Sequence, residues 1–326
     1  MSSINTNTSA LTALQSLSAT NKALETTQSR ISTGFRVSSA SDNAAYWSIA
    51  TTMRSDNKAN SVLQDALGLG AGKIDTAYTA MNSAIDVVDQ IKEKVLAAKT
   101  SSADDRAKIQ TEIDSLQAQL MDNIGGANYA GSNLLQTDSS KDAAGGVDSK
   151  LTIMTSYNRD ASGNVSTGTI EVNYADTRLI DSTSATAKAG ILDTEFTVTS
   201  GTTTTGASGT ATTTGAVNAS ILTLKVTGSG LESADFDAML TGIEAGLKAM
   251  ATGAASLGAA KARVDMQKDF VSQLSDSIDR GVGQLVDADM NKESTRLQAL
   301  QVQQQLGIQA LSIANGNTQQ ILSLFR

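Results

Sequence analysis

Residues 297–326 read LQALQVQQQLGIQALSIANGNTQQILSLFR, and residues 11–31 read LTALQSLSATNKALETTQSRI. In both stretches large apolar residues recur at intervals of three, four or seven, which is a helical period. The apolar stripe is narrow, and polar or small residues such as Gln28, Gln304 and Gly307 interrupt it. Helices of this kind are weakly stable alone. The pattern therefore predicts two terminal helices that need partners, either each other or further copies of the chain.

The apolar residues of these helices form the predicted self-assembly core. They are Leu11, Leu14, Leu17, Leu24, Ile31, Leu297, Leu300, Leu311, Ile321 and Phe325. The last stretch is rich in Gln and carries no charge between Arg296 and the final arginine. Uncharged faces suit dense packing around a polar space, where like charges would repel. The alternative is a plain C-terminal helix of a helical bundle.

Composition excludes several kinds of active site. The 326 residues include no His, Cys or Pro, and the formal net charge is -8. Without His or Cys there is no Ser-His-Asp or Cys-His site, no thiolate nucleophile and no ordinary zinc site. Aromatic residues are only 3%, and no basic cluster interleaves with them, which argues against nucleic acid as a partner. We expect a protein that is not an enzyme and needs no cofactor.

The absence of proline favours a protein built from long helices that folds promptly. Average proline usage is about 5%, and proline breaks long helices and slows folding. The opening residues lack a basic region followed by a continuous apolar run, and no stretch is apolar enough to span a bilayer. The composition, low in aromatic residues, rich in Thr, Ser and Gly and free of Cys, is nevertheless typical of the surface of an exported protein. If the chain is exported, it is expected to leave by a route without a cleaved signal.

Helical periodicity dominates both halves of the chain. It predicts helices over residues 3–37, 44–99, 105–123, 236–281 and 285–325. Between the third and fourth helix the pattern becomes strand-like at 151–153, 170–174, 196–198 and 222–226. The predicted fold class is mainly α with a small β part. The predicted arrangement is elongated, with nested N- and C-terminal helices as a coiled-coil core, a helical bundle with a β-hairpin, and a short β-rich outer insert.

The segment GLGAGK (68–73) resembles a phosphate-binding loop only superficially. That motif requires Gly where Leu67 stands and Ser or Thr where Ile74 stands, and a strand before it. Each glycine inside a helix costs about 1 kcal/mol relative to Ala. Close helix–helix approach or a local kink would explain Gly68, Gly70 and Gly72.

Pairs of aspartates stand at predicted helix starts. The pairs are Asp104 with Asp105, Asp235 with Asp237, and Asp287 with Asp289. They could suggest a metal or acid–base site. Acidic residues at helix starts complement the helix dipole and cap free N–H groups, and capping is the favoured interpretation. Ser41 or Asp42 is expected to cap the second helix.

Three stretches closely resemble bacterial flagellin, the subunit of the flagellar filament. They are SINTNTSALTALQSL (3–17), SRISTGFRVSSASDNAAYWSIA (29–50), and the tail with QALSIAN and ILSLFR. The resemblance covers roughly the first 135 and the last 90 residues. It implies a structural subunit that self-assembles into the filament for swimming motility, is exported unfolded, and polymerises at the filament tip outside the cell.

The resemblance also implies a domain organisation and a set of partners. Residues 1–43 and 285–326 would form the terminal-helix filament core, 44–175 and 232–284 a helical bundle with a β-hairpin, and 176–231 a variable outer region. Export would use the flagellar type III apparatus. The partners would be further copies or other flagellins, an export chaperone, the filament cap and the hook-junction proteins, with no nucleic acid and no membrane.

Two host-recognition sites of the family depart from the usual pattern. At the Toll-type receptor patch this chain has Gln90, Lys94 and Glu112, where an Arg and a Leu are usual at the first two positions. At the plant-receptor epitope it has Ser41, Asp42, Asn43 and Tyr46 in place of Lys-Asp-Asp and Gly. We expect weak or no recognition at both sites. Such departures resemble flagellins of soil and plant-associated alphaproteobacteria.

Other classes of protein remain as alternatives. A hook–filament junction protein shares terminal helices of this style but does not polymerise indefinitely. A flagellin with a metallopeptidase insert would need a His-Glu-x-x-His helix, which a chain without His cannot supply. A chemoreceptor-type coiled coil would require a membrane-spanning segment and a more regular heptad repeat of apolar residues.

Overall fold

A computed structural model describes residues 7–140, 149–160, 162–183, 190–201, 214–227 and 231–323. The helices in these ranges are α1 (Thr8–Thr33), α2 (Ala44–Thr100), α3 (Ala103–Gly126), α4 (Tyr174–Thr177), α5 (Ser233–Val286) and α6 (Met290–Ser323). The strands are β1 (Gln136–Thr137), β2 (Lys150–Arg159), β3 (Val165–Asn173), β4 (Ile180–Asp181), β5 (Phe196–Gly201) and β6 (Thr214–Ala219). Long helices and short strands confirm the predicted fold class of a mainly α protein with a small β part.

The long helices lie close to their predicted bounds, and the differences have local causes. α1 stops at Gly34, whose φ of 75° suits a glycine that ends a helix. α6 begins five residues later than predicted, at Met290. α5 continues to Val286, and between the two helices Asp287 forms a β-bridge with Phe35. Patterns of apolar residues cannot show such a pairing.

The chain divides into two compact units, Met1–Ala59 with Leu274–Arg326, and Asn60–Gln273. In the first unit, the residues after α1 pair with those after α5. The amides of Arg36 and Val37 donate to the Val286 carbonyl at 2.7 and 3.2 Å, and Ala288 N donates to the Gly34 carbonyl at 2.8 Å. A small core lies beside this pairing, formed by Val37, Ala50, Val282 and Val286.

In the second unit, α2 and α5 run antiparallel around a continuous apolar core. Lysine–carboxylate pairs link the two helices at three levels: Lys99–Asp237, Lys92–Glu244 and Lys261–Asp75. In each pair the two residue numbers have the same sum, so the helices keep one register along this length. Exposed pairs contribute little stability, and their main effect is to favour this register.

At two glycines of α2, side chains from other parts of the second unit pack directly against the helix backbone. A Cβ on Gly70 would lie 2.6 Å from Ile153 Cδ1, and one on Gly72 would lie 2.6 Å from Tyr129 Cζ. The expectation of a close helix–helix approach is wrong at these two glycines, because the approaching groups belong to β2 and to the segment after α3. Nothing lies within 4 Å of a Cβ on Gly68. Because these residues lie inside α2, they do not form a phosphate-binding loop.

β2 and β3 form an antiparallel hairpin that is longer than predicted. Its register shifts between Met154 and Ser156, which is a β-bulge. Gln267 of α5 donates to the Thr155 carbonyl at 2.7 Å, so the bulged residue is tied to a helix. The predicted turn is present: the Asp160 carboxylate accepts from Asn164 N at 2.7 Å.

The prediction of a strand at 222–226 is wrong. Ile221–Thr223 form a 3-10 turn, and the partner of β5 is β6. Two buried glutamines of α3 take the place of a neighbouring strand: Gln117 Nε2 donates to the Ile221 carbonyl at 2.9 Å, and Gln110 Oε1 accepts from Val226 N at 2.6 Å. The apolar alternation reflects burial against α3. The short parallel pair of β1 and β4 was also not predicted.

Candidate assembly surface

α1 and α6 contact each other along a seam of heptad spacing. Its buried or half-buried positions are Ala10, Ala13, Leu17, Thr20, Leu24, Thr27 and Ile31 on α1, and Glu293, Leu297, Leu300, Gln304, Gly307, Leu311 and Ala314 on α6. The intervals alternate between three and four residues, as in a coiled coil. A Cβ on Gly307 would lie 3.3 Å from Leu17 Cδ1, so the Leu17 side chain packs against the space that the glycine leaves open.

Three hydrogen bonds cross the seam and show that the helices are antiparallel. The donors and acceptors are Asn7 Nδ2 to Ala314 O at 2.9 Å, Gln304 Nε2 to Asn21 Oδ1 at 2.8 Å, and Arg30 Nη1 to Glu293 Oε1 at 3.3 Å. Two polar residues that interrupt the apolar pattern, Asn21 and Gln304, therefore bind each other. Each of the two neutral bonds contributes about 0.5–1.5 kcal/mol net.

The predicted core residues divide into three groups. Six lie in the seam: Leu17, Leu24, Ile31, Leu297, Leu300 and Leu311. Leu11 and Leu14 lie outside it and are 59% and 53% exposed. Ile321 belongs to α6, and Phe325 is outside the described residues. The interpretation from apolar residues alone missed Ala10, Ala13, Thr20 and Thr27, although their intervals of three and four continue the row.

Both helices expose large apolar side chains that the seam does not cover. Besides Leu11 and Leu14 on α1, the exposed set among the described residues of α6 comprises Met290, Val302, Leu306, Ile308 and Ile313. An open groove of about 660 Å³ runs between the helices, lined by residues that include Thr12, Ala13, Ser16, Gly307 and Ala310. Exposed apolar side chains concentrated in one region mark surfaces for association.

The connection between α1 and α2 is a hydrogen-bonded polar turn followed by exposed aromatic residues. The Asp42 carboxylate accepts from the amides of Ser38 and Ser39, both at 3.0 Å, and these bonds lower the pKa of Asp42. The cap of α2 is Asn43, whose Oδ1 accepts from Tyr46 N at 3.1 Å. The expectation of a cap at Ser41 or Asp42 is therefore wrong, because the Asp42 carboxylate is occupied within the turn.

The exposed aromatics follow directly after that cap. Tyr46 and Trp47 lie in the first turn of α2, and both are exposed. Trp47 is the one tryptophan of the chain. Of the residues predicted at the plant-receptor epitope, Ser41, Asp42 and Tyr46 are exposed and Asn43 is half-buried, and Ser41 Oγ lies 2.7 Å from Ser39 Oγ within the same turn.

The residues of the Toll-type patch lie on α2 and α3. Lys94 and Glu112 form an ion pair with Nζ 2.5 Å from Oε2. Gln90, one turn before Lys94 on α2, is exposed. The acidic side chain of this patch is therefore engaged by a residue of its own chain.

Two of the helix-start aspartates act as caps, whereas at the start of α3 the cap is Ser102, whose Oγ accepts from Asp105 N at 3.3 Å. Asp289 Oδ1 accepts from the amides of Asn291 and Lys292 at the start of α6, and Asp235 Oδ2 accepts from Glu232 N at 2.7 Å. The capping interpretation is confirmed at these two positions. Within the described residues, no group of three acidic side chains is arranged to hold a metal ion, and no helix is long and apolar enough to cross a membrane.

Known proteins match both ends of the chain. The family model for the bacterial flagellin N-terminal helical region matches residues 4–140, and that for the C-terminal helical region matches residues 240–325. The flagellin of Brucella melitensis biotype 1 is 51% identical over 326 residues, which is 100% of both chains. This chain belongs to the bacterial flagellin family. Flagellin C of Rhizobium meliloti strain 1021 is 46% identical to this flagellin over 339 residues, again with 100% of both chains covered.

The relatives confirm the resemblance to alphaproteobacterial flagellins. Among solved structures, a crystal structure of Bacillus cereus flagellin is similar to this flagellin with a TM-score of 0.38 and 17% identity, covering 64% of this chain and 88% of that chain. The family is structural rather than enzymatic, and its members polymerise into the flagellar filament outside the cell. These findings do not favour the hook–filament junction alternative.

Proposed function

We propose that this flagellin self-assembles through the α1–α6 pair, whose exposed apolar side chains pack against the same pair in neighbouring copies. The observation that carries the proposal is the exposure of Leu11 and Leu14 on α1 and of Leu306 and Ile313 on α6, outside the seam that joins the two helices. Burying one leucine stabilises an interface by about 1.5–3 kcal/mol. Several such residues in each copy supply a driving force that the isolated chain leaves unused.

Each part of the chain has its own place in the proposed filament. Residues 1–43 and 285–326 form the filament core, 44–175 and 232–284 the helical bundle around it, and 176–231 face outward. The Gln-rich, nearly uncharged sequence after Arg296 supports a position in the crowded centre, because like charges would repel there. Neighbouring copies are the same chain or other flagellins.

The chain is exported unfolded through the flagellar type III apparatus and polymerises at the filament tip, in contact with an export chaperone, the cap and the hook-junction proteins. The polar residues within the seam support this route, because they replace apolar contacts between two helices that are only marginally stable alone. Recognition by vertebrate Toll-type and plant receptors is weak or absent. The Lys94–Glu112 ion pair supports the first of these expectations.

Seeded polymerisation of purified chain tests the assembly surface. The variant L14Q/L306Q replaces two exposed leucines and leaves the seam intact. Its elongation on short filament seeds, followed by light scattering, should fall by roughly tenfold or more, since 1.4 kcal/mol corresponds to a factor of about ten. The matched control M121Q changes an exposed methionine of α3 and should elongate like wild type.

Circular dichroism should show the same helical content and thermal unfolding for all three proteins. Normal elongation of L14Q/L306Q would contradict the proposed surface. Wild-type chain that never elongates seeds would contradict self-assembly itself.

A further inference from the structure

Arg30 and Glu293 are a charged pair inside the otherwise neutral seam between α1 and α6. Arg30 lies in the last turn of α1 and Glu293 in the first turn of α6. The side chain of Glu293 is only 9% exposed and that of Arg30 is 27% exposed. Thr27, one turn before Arg30 on α1, is also buried. The carboxylate has therefore lost most of its contact with water.

Only half of this carboxylate has a partner. Arg30 Nη1 lies 3.3 Å from Glu293 Oε1, which is a single long contact rather than the short two-point contact that arginine makes in strong pairs. Glu293 Oε2 is buried, and no donor among the described residues reaches it. A buried carboxylate oxygen without a donor loses its hydrogen bonds to water and forms none with the protein, which raises the free energy of the docked state.

The same two residues favour their own helices. A negative charge in the first turn of α6 and a positive charge in the last turn of α1 both complement the helix dipoles. These favourable interactions persist when the helices separate, and Glu293 then regains its water. The loss of hydration arises only when α1 and α6 dock.

We propose that the Arg30–Glu293 pair is a built-in weak point, which shifts the α1–α6 pair of the isolated chain toward the open state. Buried ion pairs of this kind are often less stable than apolar residues of similar size. An open α1–α6 pair would leave both ends of the chain free for export, and this role of the weak point rests on the proposed function. The bias itself is a property of the single chain.

Amide hydrogen exchange of the full-length unassembled chain tests the bias. In R30L/E293L, exchange in the peptides covering 17–31 and 293–304 should slow by about tenfold or more relative to wild type, because docking no longer dehydrates a charge. The matched control K22L/E25L replaces an exposed base and an exposed acid on α1 and should change exchange by less than about twofold. Unchanged or faster exchange in R30L/E293L overturns the proposal.

A second variant is needed because the apolar variant R30L/E293L could aggregate and so slow exchange for another reason. R30Q/E293Q keeps polar side chains of similar length without charge, and it should also slow exchange in both peptides. Faster exchange in this variant would show that the charges stabilise the seam and would overturn the proposal. Seeded elongation of the same wild-type preparation is scored separately, so that a failure of assembly counts against the proposed function and not against the exchange result.

Discussion

Lys94 Nζ lies 2.5 Å from Glu112 Oε2, so a lysine of α2 engages the acidic residue of α3 at the predicted Toll-type receptor patch. An exposed pair of this kind contributes little stability. We expect a larger effect on recognition, because a receptor would have to break the pair and then accommodate a lysine where a leucine is usual in the family.

Restoring the usual residues should restore recognition. The variant Q90R/K94L leaves Glu112 free and supplies an apolar contact, so its signalling in reporter cells that carry the Toll-type receptor should exceed that of wild type by roughly tenfold or more. K108L is the control, because Lys108 pairs with Asp105 elsewhere on α3. Strong signalling by the wild-type chain, or no gain in Q90R/K94L, would contradict this prediction.

Gly70 and Gly68 make a matched pair of test sites two residues apart in α2. In G70A the new methyl group meets Ile153, with 2.6 Å to Cδ1, and we expect a lower free energy of unfolding because the hairpin must shift. In G68A the methyl group meets nothing within 4 Å, and the gain in helix propensity should stabilise the chain by about 1 kcal/mol. Urea unfolding should therefore give opposite signs. Equal effects at the two sites would show that β2 does not pack against Gly70.

A substitution of Gln117 tests whether its hydrogen bond to the Ile221 carbonyl stabilises the 3-10 turn. Q117L removes the donor to the Ile221 carbonyl and leaves a buried acceptor unpaired, which should destabilise the chain by about 1–3 kcal/mol. Q119L is the control on the exposed face of the same helix. Thermal unfolding measures both, and an unchanged midpoint for Q117L would mean that water or another donor replaces the glutamine.

The turn before α2 should respond to acid. Hydrogen bonds from the backbone amides of Ser39 and Ser38 lower the pKa of Asp42 below its ordinary value of 3.8. A carboxyl group with a lowered pKa stabilises the folded state above its ordinary pKa, and that stabilisation is lost as the pH falls through the lowered value. Trp47, one turn beyond the cap Asn43, should report this loss as a change in emission below about pH 3.8.

D42N is the control for the acid response. The variant has no carboxyl group at this position, so the emission of Trp47 should lose that transition. Helical content, measured by circular dichroism over the same pH range, separates the local change from general acid unfolding. The same transition in D42N would assign it to another group.

The sequence predicted the long helices well, because apolar periods over dozens of residues leave few alternatives. It predicted the hairpin for a related reason, since Asp160 and Gly163 supply turn chemistry between alternating runs. It failed at 222–226, where Leu224 and Val226 alternate as in a strand but are buried against glutamines of α3. Periodicity reports burial and not the partner of the backbone.

The assembly surface was predicted in part. Leu17 and Leu24 lie in the seam as a heptad would place them, whereas Leu11 and Leu14 lie outside it. The seam continues instead through Ala10 and Ala13, because close helix packing selects small residues that a search for large apolar side chains overlooks. No sequence pattern showed that Glu293 would be buried, since a glutamate in a first turn is usually exposed.

The most direct measurement is a helical cryo-EM reconstruction of filaments grown from this chain alone. Self-assembly through the α1–α6 pair predicts that Leu14 and Leu306 are buried against neighbouring copies in the inner part of the filament. Filaments in which both leucines face solvent, or in which α1 and α6 make no contact with other copies, would contradict the central claim.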